Sequence, residues 1–124
     1  MPTFDLSVQP LRELNQALHN IEDGSNETSF EVLNPRGSHA VAVGIDTPVS
    51  VDVRGSVGYY CAGMNSEATV TVHGNAGPGV AENMMSGTVI IKGDASQYAG
   101  ATGHGGLLVV EGTASSRCGI SMKG

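Results

Sequence analysis

Apolar and polar residues alternate in four short segments of this chain, and each segment ends on a glycine. The segments are Val51–Gly55, Val70–Gly74, Val89–Gly93 and Leu108–Gly112, and their glycines, Gly55, Gly74, Gly93 and Gly112, fall 19 residues apart. Two and four positions before each glycine stand Val53 and Val51, Val72 and Val70, Ile91 and Val89, Val110 and Leu108. All are aliphatic, so these columns face inward and the positions between them face out. A fixed period near twenty residues predicts a solenoid whose repeats bury their apolar faces only by stacking on one another. Small residues after each glycine (Val57, Ala76, Ala95 and Ala114, then Gly58, Gly77, Ser96 and Ser115) suit tight corners between strands. Hexapeptide left-handed helices use an 18-residue coil with a six-residue echo. The 19-residue period, without that echo, predicts an all-β, right-handed parallel β-helix.

The N-terminal part follows another rhythm. Leu11, Leu14, Leu18 and Ile21 lie on one face of an amphipathic helix, with Pro10 suited to its first turn and Asp23-Gly24 to its end. Residues 1–24 are therefore expected to form a helical cap over the first coil, with an arm reaching to another subunit as the alternative, and residues 25–124 to form the β-helix. Phe30 and Val32, and then Ala40 to Val43, read as short strands, and Asn34-Pro35-Arg36-Gly37 reads as a turn. Gly37 precedes Gly55 by 18 residues, which points to an irregular first coil before regular ones begin near Val49.

Composition narrows the function. The 124 residues carry 6 basic and 12 acidic side chains, a formal charge of -6 with no basic cluster, which argues against nucleic acid and anionic membranes. Aromatics at 4% and the absence of Trp disfavour a stacking platform for bases or sugars. No apolar run approaches a membrane span, no signal-peptide pattern opens the chain, and two cysteines suit a reducing, cytoplasmic setting. The Asn26-Glu27-Thr28 sequon carries no weight in that setting.

Candidate chemistry is thin. Cys61 and Cys118 both follow their glycine by six residues, so they share a column three coils apart, about 14 Å at the usual strand spacing. That exceeds the reach of a disulfide. His19, His39, His73 and His104 occupy unrelated positions and supply no metal-ligand spacing. The Gly100–Gly106 stretch lacks the Lys-Ser/Thr of a phosphate loop and runs into a strand, and Gly77-Pro78-Gly79 has no dinucleotide fingerprint after it. Asp52, Asp94 and Glu111 fall in different columns, so no pair of catalytic carboxylates forms, and no nucleophile elbow is present. No catalytic, cofactor-binding or metal residues are assigned.

One outward pattern is informative. Three positions before the glycines come Asp52, Thr71, Ile90 and Val109, and five before come Ser50, Thr69, Thr88 and Leu107, both turning apolar toward the C-terminus. Ile90, Leu107 and Val109 are expected to form an exposed docking patch for another subunit. Ser121-Met122-Lys123-Gly124 stops where a further strand is due, with no polar cap, which suggests a longer chain or a covering partner.

The corner-glycine repeat, together with Asn34–His39, Gly55–Asn65, Gly93–Ser96, Gly100–Gly106 and Arg117–Gly124, resembles the GXGXG family. This is the right-handed β-helix at the C-terminal end of the glutamate synthase large subunit, and it also occurs as separate subunits. Within it, the chain is most similar to the stand-alone β-helix subunits of N-methylglutamate synthase, the methylamine–glutamate N-methyltransferase. The resemblance covers nearly the whole chain but departs from the family in lacking coils beyond Met122-Lys123-Gly124. It implies a non-catalytic scaffold in a cytoplasmic hetero-oligomer. The partners would be a glutamine amidotransferase-type subunit and a subunit carrying FMN and an iron–sulfur cluster, with no cofactor on this chain. Such a complex would convert methylamine and glutamate to N-methylglutamate and ammonia. Alternatives are a β-helix subunit of glutamate synthase proper, one of a formylmethanofuran dehydrogenase-like complex, or a self-contained β-helix enzyme.

Overall fold

The computed structural model describes residues 3–8, 10–19, 29–77, 79–81, 83–95 and 105–112. Its elements are β1 (Thr3–Asp5), α1 (Leu11–His19), β2 (Ser29–Leu33), β3 (Ser50–Arg54), β4 (Thr69–Val72), β5 (Thr88–Ile91) and β6 (Leu107–Val110). The strands form one parallel sheet in sequence order, β1-β2-β3-β4-β5-β6. Ser50 pairs with Thr69, Thr69 with Thr88, and Thr88 with Leu107, so each of these steps advances the chain by one 19-residue coil. Phe30 pairs with Val51 instead, an offset of 21, so the first coil is irregular as expected but longer than the others, and Gly37 is not the counterpart of Gly55 that its 18-residue spacing suggested.

Strand alternation fixes what fills the interior. Val51, Val53, Val70, Val72, Val89 and Ile91 are all within 1% of complete burial. Each such side chain contributes about 1.5–3 kcal/mol by leaving water. Leu108 and Val110 pack against the same core and are partly buried.

The corner glycines act mainly by permitting close approach. A side-chain carbon on Gly74 would stand 2.7 Å from the Gly55 carbonyl carbon, and one on Gly93 would stand 2.7 Å from the Gly74 oxygen. Gly93 donates its N–H to Gly74 and Gly112 donates to Gly93, each at 3.0 Å. Only the backbone-to-backbone contact of a glycine column allows coils to stack this closely here. The residues just beyond are more than corners. Val57, Ala76 and Ala95 form a second parallel ladder and are buried.

Two expectations are corrected. Residues 40–43 form turns, not a strand. Ala40, Ala42 and Gly44 have φ of 56°, 58° and 72°, and the pattern recurs at Tyr60, Ala62 and Met64 and at Gly79, Ala81 and Asn83. Left-handed residues at alternate positions turn consecutive side chains inward, so Val41 and Ala42, Cys61 and Ala62, and Val80 and Ala81 are all fully buried. The apolar Ala-Val-Ala-Val run imitates a strand without being one.

The N-terminal segment also holds more than a helix. β1 lies beside β2, with Phe4 opposite Val32, and extends the sheet by one strand. Helix α1 buries Leu14 and Leu18 completely. Its Asn15 amide donates to Ala40 O and accepts from Ala42 N–H, both at 2.9 Å, so one side chain pairs with the coil as a strand would. Ile21 and Asp23-Gly24, expected to finish this helix, lie outside the described residues. The Asn34–Gly37 turn forms as expected, closed by Ser38 N–H on Pro35 O at 2.9 Å.

Candidate functional site

The outward face of the sheet presents three columns. Glu31, Asp52, Thr71, Ile90 and Val109 follow one another in register down the middle, with Ser29, Ser50, Thr69, Thr88 and Leu107 beside them. A third column runs through Arg54, His73, Lys92 and Glu111. His73, Lys92 and Glu111 each donate an N–H to the preceding coil, at Val53 O, Val72 O and Ile91 O.

Polar side chains on this face pair with one another. Arg54 Nε donates to Glu31 Oε2 at 3.2 Å, His73 Nε2 lies 3.0 Å from Asp52 Oδ1, and Lys92 Nζ donates to Glu111 Oε2 at 2.7 Å. These exposed pairs contribute about 0–1 kcal/mol each. Their larger effect is to pair polar side chains with one another along the face, across β2 and β3 for Arg54 with Glu31 and beside the last two strands for Lys92 with Glu111.

On β5 and β6 the other two columns turn apolar, beside the Lys92–Glu111 pair. Ile90 pairs in register with Val109, and Leu107 lies two residues from Val109 on the same strand face. Leu107 is 56% exposed, while Ile90 and Val109 are half-buried. The three residues expected at a subunit contact are thus neighbours, with Leu107 the most prominent.

The corner beside this face carries a chain of side-chain hydrogen bonds. Ser56 Oγ accepts from Asn75 N–H at 3.0 Å, and Asn75 Oδ1 accepts from Asp94 N–H at 2.8 Å. Equivalent positions in successive coils therefore tie one coil to the next. The glycine alignment places these residues together but does not announce the bonds.

Other candidates are dispersed. Among the described residues, no three His, Cys, Asp or Glu side chains come close enough to hold a metal ion. Cys61 is a free, buried thiol, and desolvation pushes its pKa up to about 12, so it stays protonated and unreactive. Cys118, His104 and the glycines from 100 to 103 lie outside the described residues. His39 Nδ1 accepts the Tyr59 N–H at 2.9 Å, and its ring stacks on Tyr59 with centroids 3.9 Å apart. That bond assigns the remaining imidazole proton to Nε2 when the ring is neutral. Tyr59, Met64 and Met85 are further exposed apolar side chains on the coil. They lie outside the four aligned segments, so column reading could not find them.

Comparison with known proteins gives one close stretch. Over 65 residues, 52% of this chain, the sequence is 77% identical to Protein GlxC of Rhizobium meliloti (strain 1021). The match spans 28% of that protein, little more than a quarter of its length. No protein-family model matches the chain, and no solved structure matches it. No helix among the described residues is long and apolar enough to cross a membrane.

Proposed function

We propose that this chain is a non-catalytic β-helix scaffold of a glutamate-synthase-like complex, and specifically of an N-methylglutamate synthase. In this reading it holds an amidotransferase-type subunit and a flavin and iron–sulfur subunit in fixed relation. The observation that carries the proposal is the outward sheet face: polar with its side chains paired to one another over β2–β4, apolar at Ile90, Leu107 and Val109. A stiff parallel coil bearing such a patch suits docking better than turnover. The motif resemblance supplies the kind of complex. The 77% identity to Protein GlxC supports a relationship over half of the chain, and the finer assignment to methylamine chemistry rests on the resemblance.

Native mass spectrometry of the tagged chain purified from its own cells tests the proposal. Recovery with larger subunits, one carrying FMN, supports the scaffold role, and the partners identify the reaction. A lone soluble monomer refutes it. The double substitution Ile90→Asp with Val109→Asp is expected to abolish that recovery while leaving the melting temperature nearly unchanged. Undiminished recovery would show that the patch is not the contact.

A further inference from the structure

The inward columns of β4 and β5 are close copies: Val70 stands opposite Val89 and Val72 opposite Ile91. A pairing slipped by two residues would keep every one of these side chains inside, so strand burial alone does not select the observed register. The corner that leads into the two strands differs. Among the described residues, Asn65 is the fully buried polar side chain. Its Nδ2 donates to Ala68 O at 2.9 Å, in its own coil, and to Ser86 O at 3.1 Å, in the next. Both acceptors lie just ahead of a strand, Ala68 before Thr69 and Ser86 two residues before Thr88. Ser86 Oγ also accepts the Glu67 N–H at 2.9 Å. A side-chain carbon on Gly87 would stand 2.8 Å from Asn65 Nδ2, so the corner closes on a glycine.

Burial energetics do not explain the choice of Asn. Its Oδ1 is buried without a partner. Leaving such an acceptor unsatisfied is unfavourable, and well-packed apolar replacements of buried polar groups are often neutral or stabilising. Stacked peptides show what neighbouring coils use: Ser66 donates to Ile45 O and Met85 to Asn65 O, which aligns Asn65 with Ile45 and Met84. Both are apolar and fully buried.

We propose that Asn65 sets the register of β5 on β4 by bridging the two corner carbonyls, giving conformational specificity at a cost in stability. A slipped strand would carry Ser86 away from the amide and leave one of the two Nδ2 protons, as well as Oδ1, unsatisfied inside the coil, while the bond to Ala68 O persists.

Disulfide trapping in the full-length Cys118→Ser chain tests this. Thr69→Cys with Thr88→Cys probes the observed register, because directly paired parallel strands lie about 4.8 Å apart, within disulfide reach. Thr71→Cys with Thr88→Cys and Thr69→Cys with Ile90→Cys probe slips of two residues in either direction, about 8 Å apart in the native pairing and out of reach. With Asn65 present, only the first pair should cross-link under mild oxidation. With Asn65→Met, the chain should melt at the same or a higher temperature, and an offset pair should cross-link to an extent comparable with the first. Cross-linking confined to the first pair in Asn65→Met overturns the proposal. Should Asn65→Met not fold, Asn65→Ala is the second variant. Loss of folding in both overturns it too, because the amide would then be required for stability, not register.

Discussion

The coil has two long sides that bury apolar residues by different means. On the sheet side, strands β3 to β6 place every second residue inside, and a flat face is left outside. On the other side, left-handed backbone recurs at Ala40, Ala42 and Gly44, at Tyr60, Ala62 and Met64, and at Gly79, Ala81 and Asn83, and adjacent residues such as Val41 and Ala42 go inside together. The first arrangement uses unstrained backbone and ordinary valines. The second draws on left-handed conformations that cost roughly 1–2 kcal/mol per non-glycine residue. Ala40, Ala42, Tyr60, Ala62, Met64, Ala81 and Asn83 in these turns adopt positive φ, so this side of the molecule holds strain that strands β3 to β6 do not. A docking face belongs on the unstrained, regular side, where outward columns can change without disturbing the core.

Substitutions that separate the two sides should rank clearly. The largest loss is expected from Ile91→Ala, which empties part of a fully buried column and should lower unfolding free energy by about 2–5 kcal/mol in urea titration. Gly74→Ala should follow, at about 1–3 kcal/mol, because its new methyl meets the Gly55 carbonyl. A near-wild-type Gly74→Ala would mean that the coils separate easily at their corners, and the close-approach argument would fail.

Alkaline titration addresses the interior of the strained side. Cys61 has its pKa raised from 9.0 to about 12 by burial, so the folded state keeps a proton that the unfolded chain releases. Its contribution is complete below the unfolded pKa and is lost as pH rises from about 9 toward 12, at up to ~1.4 kcal/mol per pH unit. Cys61→Ala should show a shallower decline over that window, and parallel curves would contradict the assigned burial.

The smallest effect gives the sharpest contrast. Glu67 is exposed with φ of 70°, so Glu67→Gly should stabilise the chain by about 0.5–1 kcal/mol. Thr71→Gly, on the outward sheet face, should destabilise by a similar amount. Equal signs for the two would erase the distinction between left-handed and extended backbone. Asp5 offers an acid-side control. Hydrogen bonds from Asn34 and Ser7 hold its carboxyl below the ordinary value, so its small contribution is present above the unfolded pKa and fades as pH falls through the folded one.

The sequence was legible where chemistry repeats at a fixed interval. Val70 and Val89 announce their column because strand geometry forces alternation and the coil length forces periodicity. The neighbouring outward residues Ile90, Leu107 and Val109 follow from the same alignment. The left-handed side was not legible. Ala40–Val43 has strand-like composition, and only the sign of φ distinguishes its fold from a strand. Strand β1 escaped because three residues carry too little periodicity to stand out beside a helix. Asn15 and Asn65 act through backbone carbonyls that are distant in sequence, and no local pattern records such partners.

The 19-residue advance per coil also makes length a quantised property of this molecule. Removing one whole period would shorten the rod by one strand spacing, about 4.8 Å, and return every outward column to its place. The 21-residue step from β2 to β3 keeps the same columns because its extra two residues are taken up between the strands; a deletion within a strand would turn its side chains to the other face. The stack is a ruler graduated in strand spacings, and outward positions of one column repeat at multiples of one graduation.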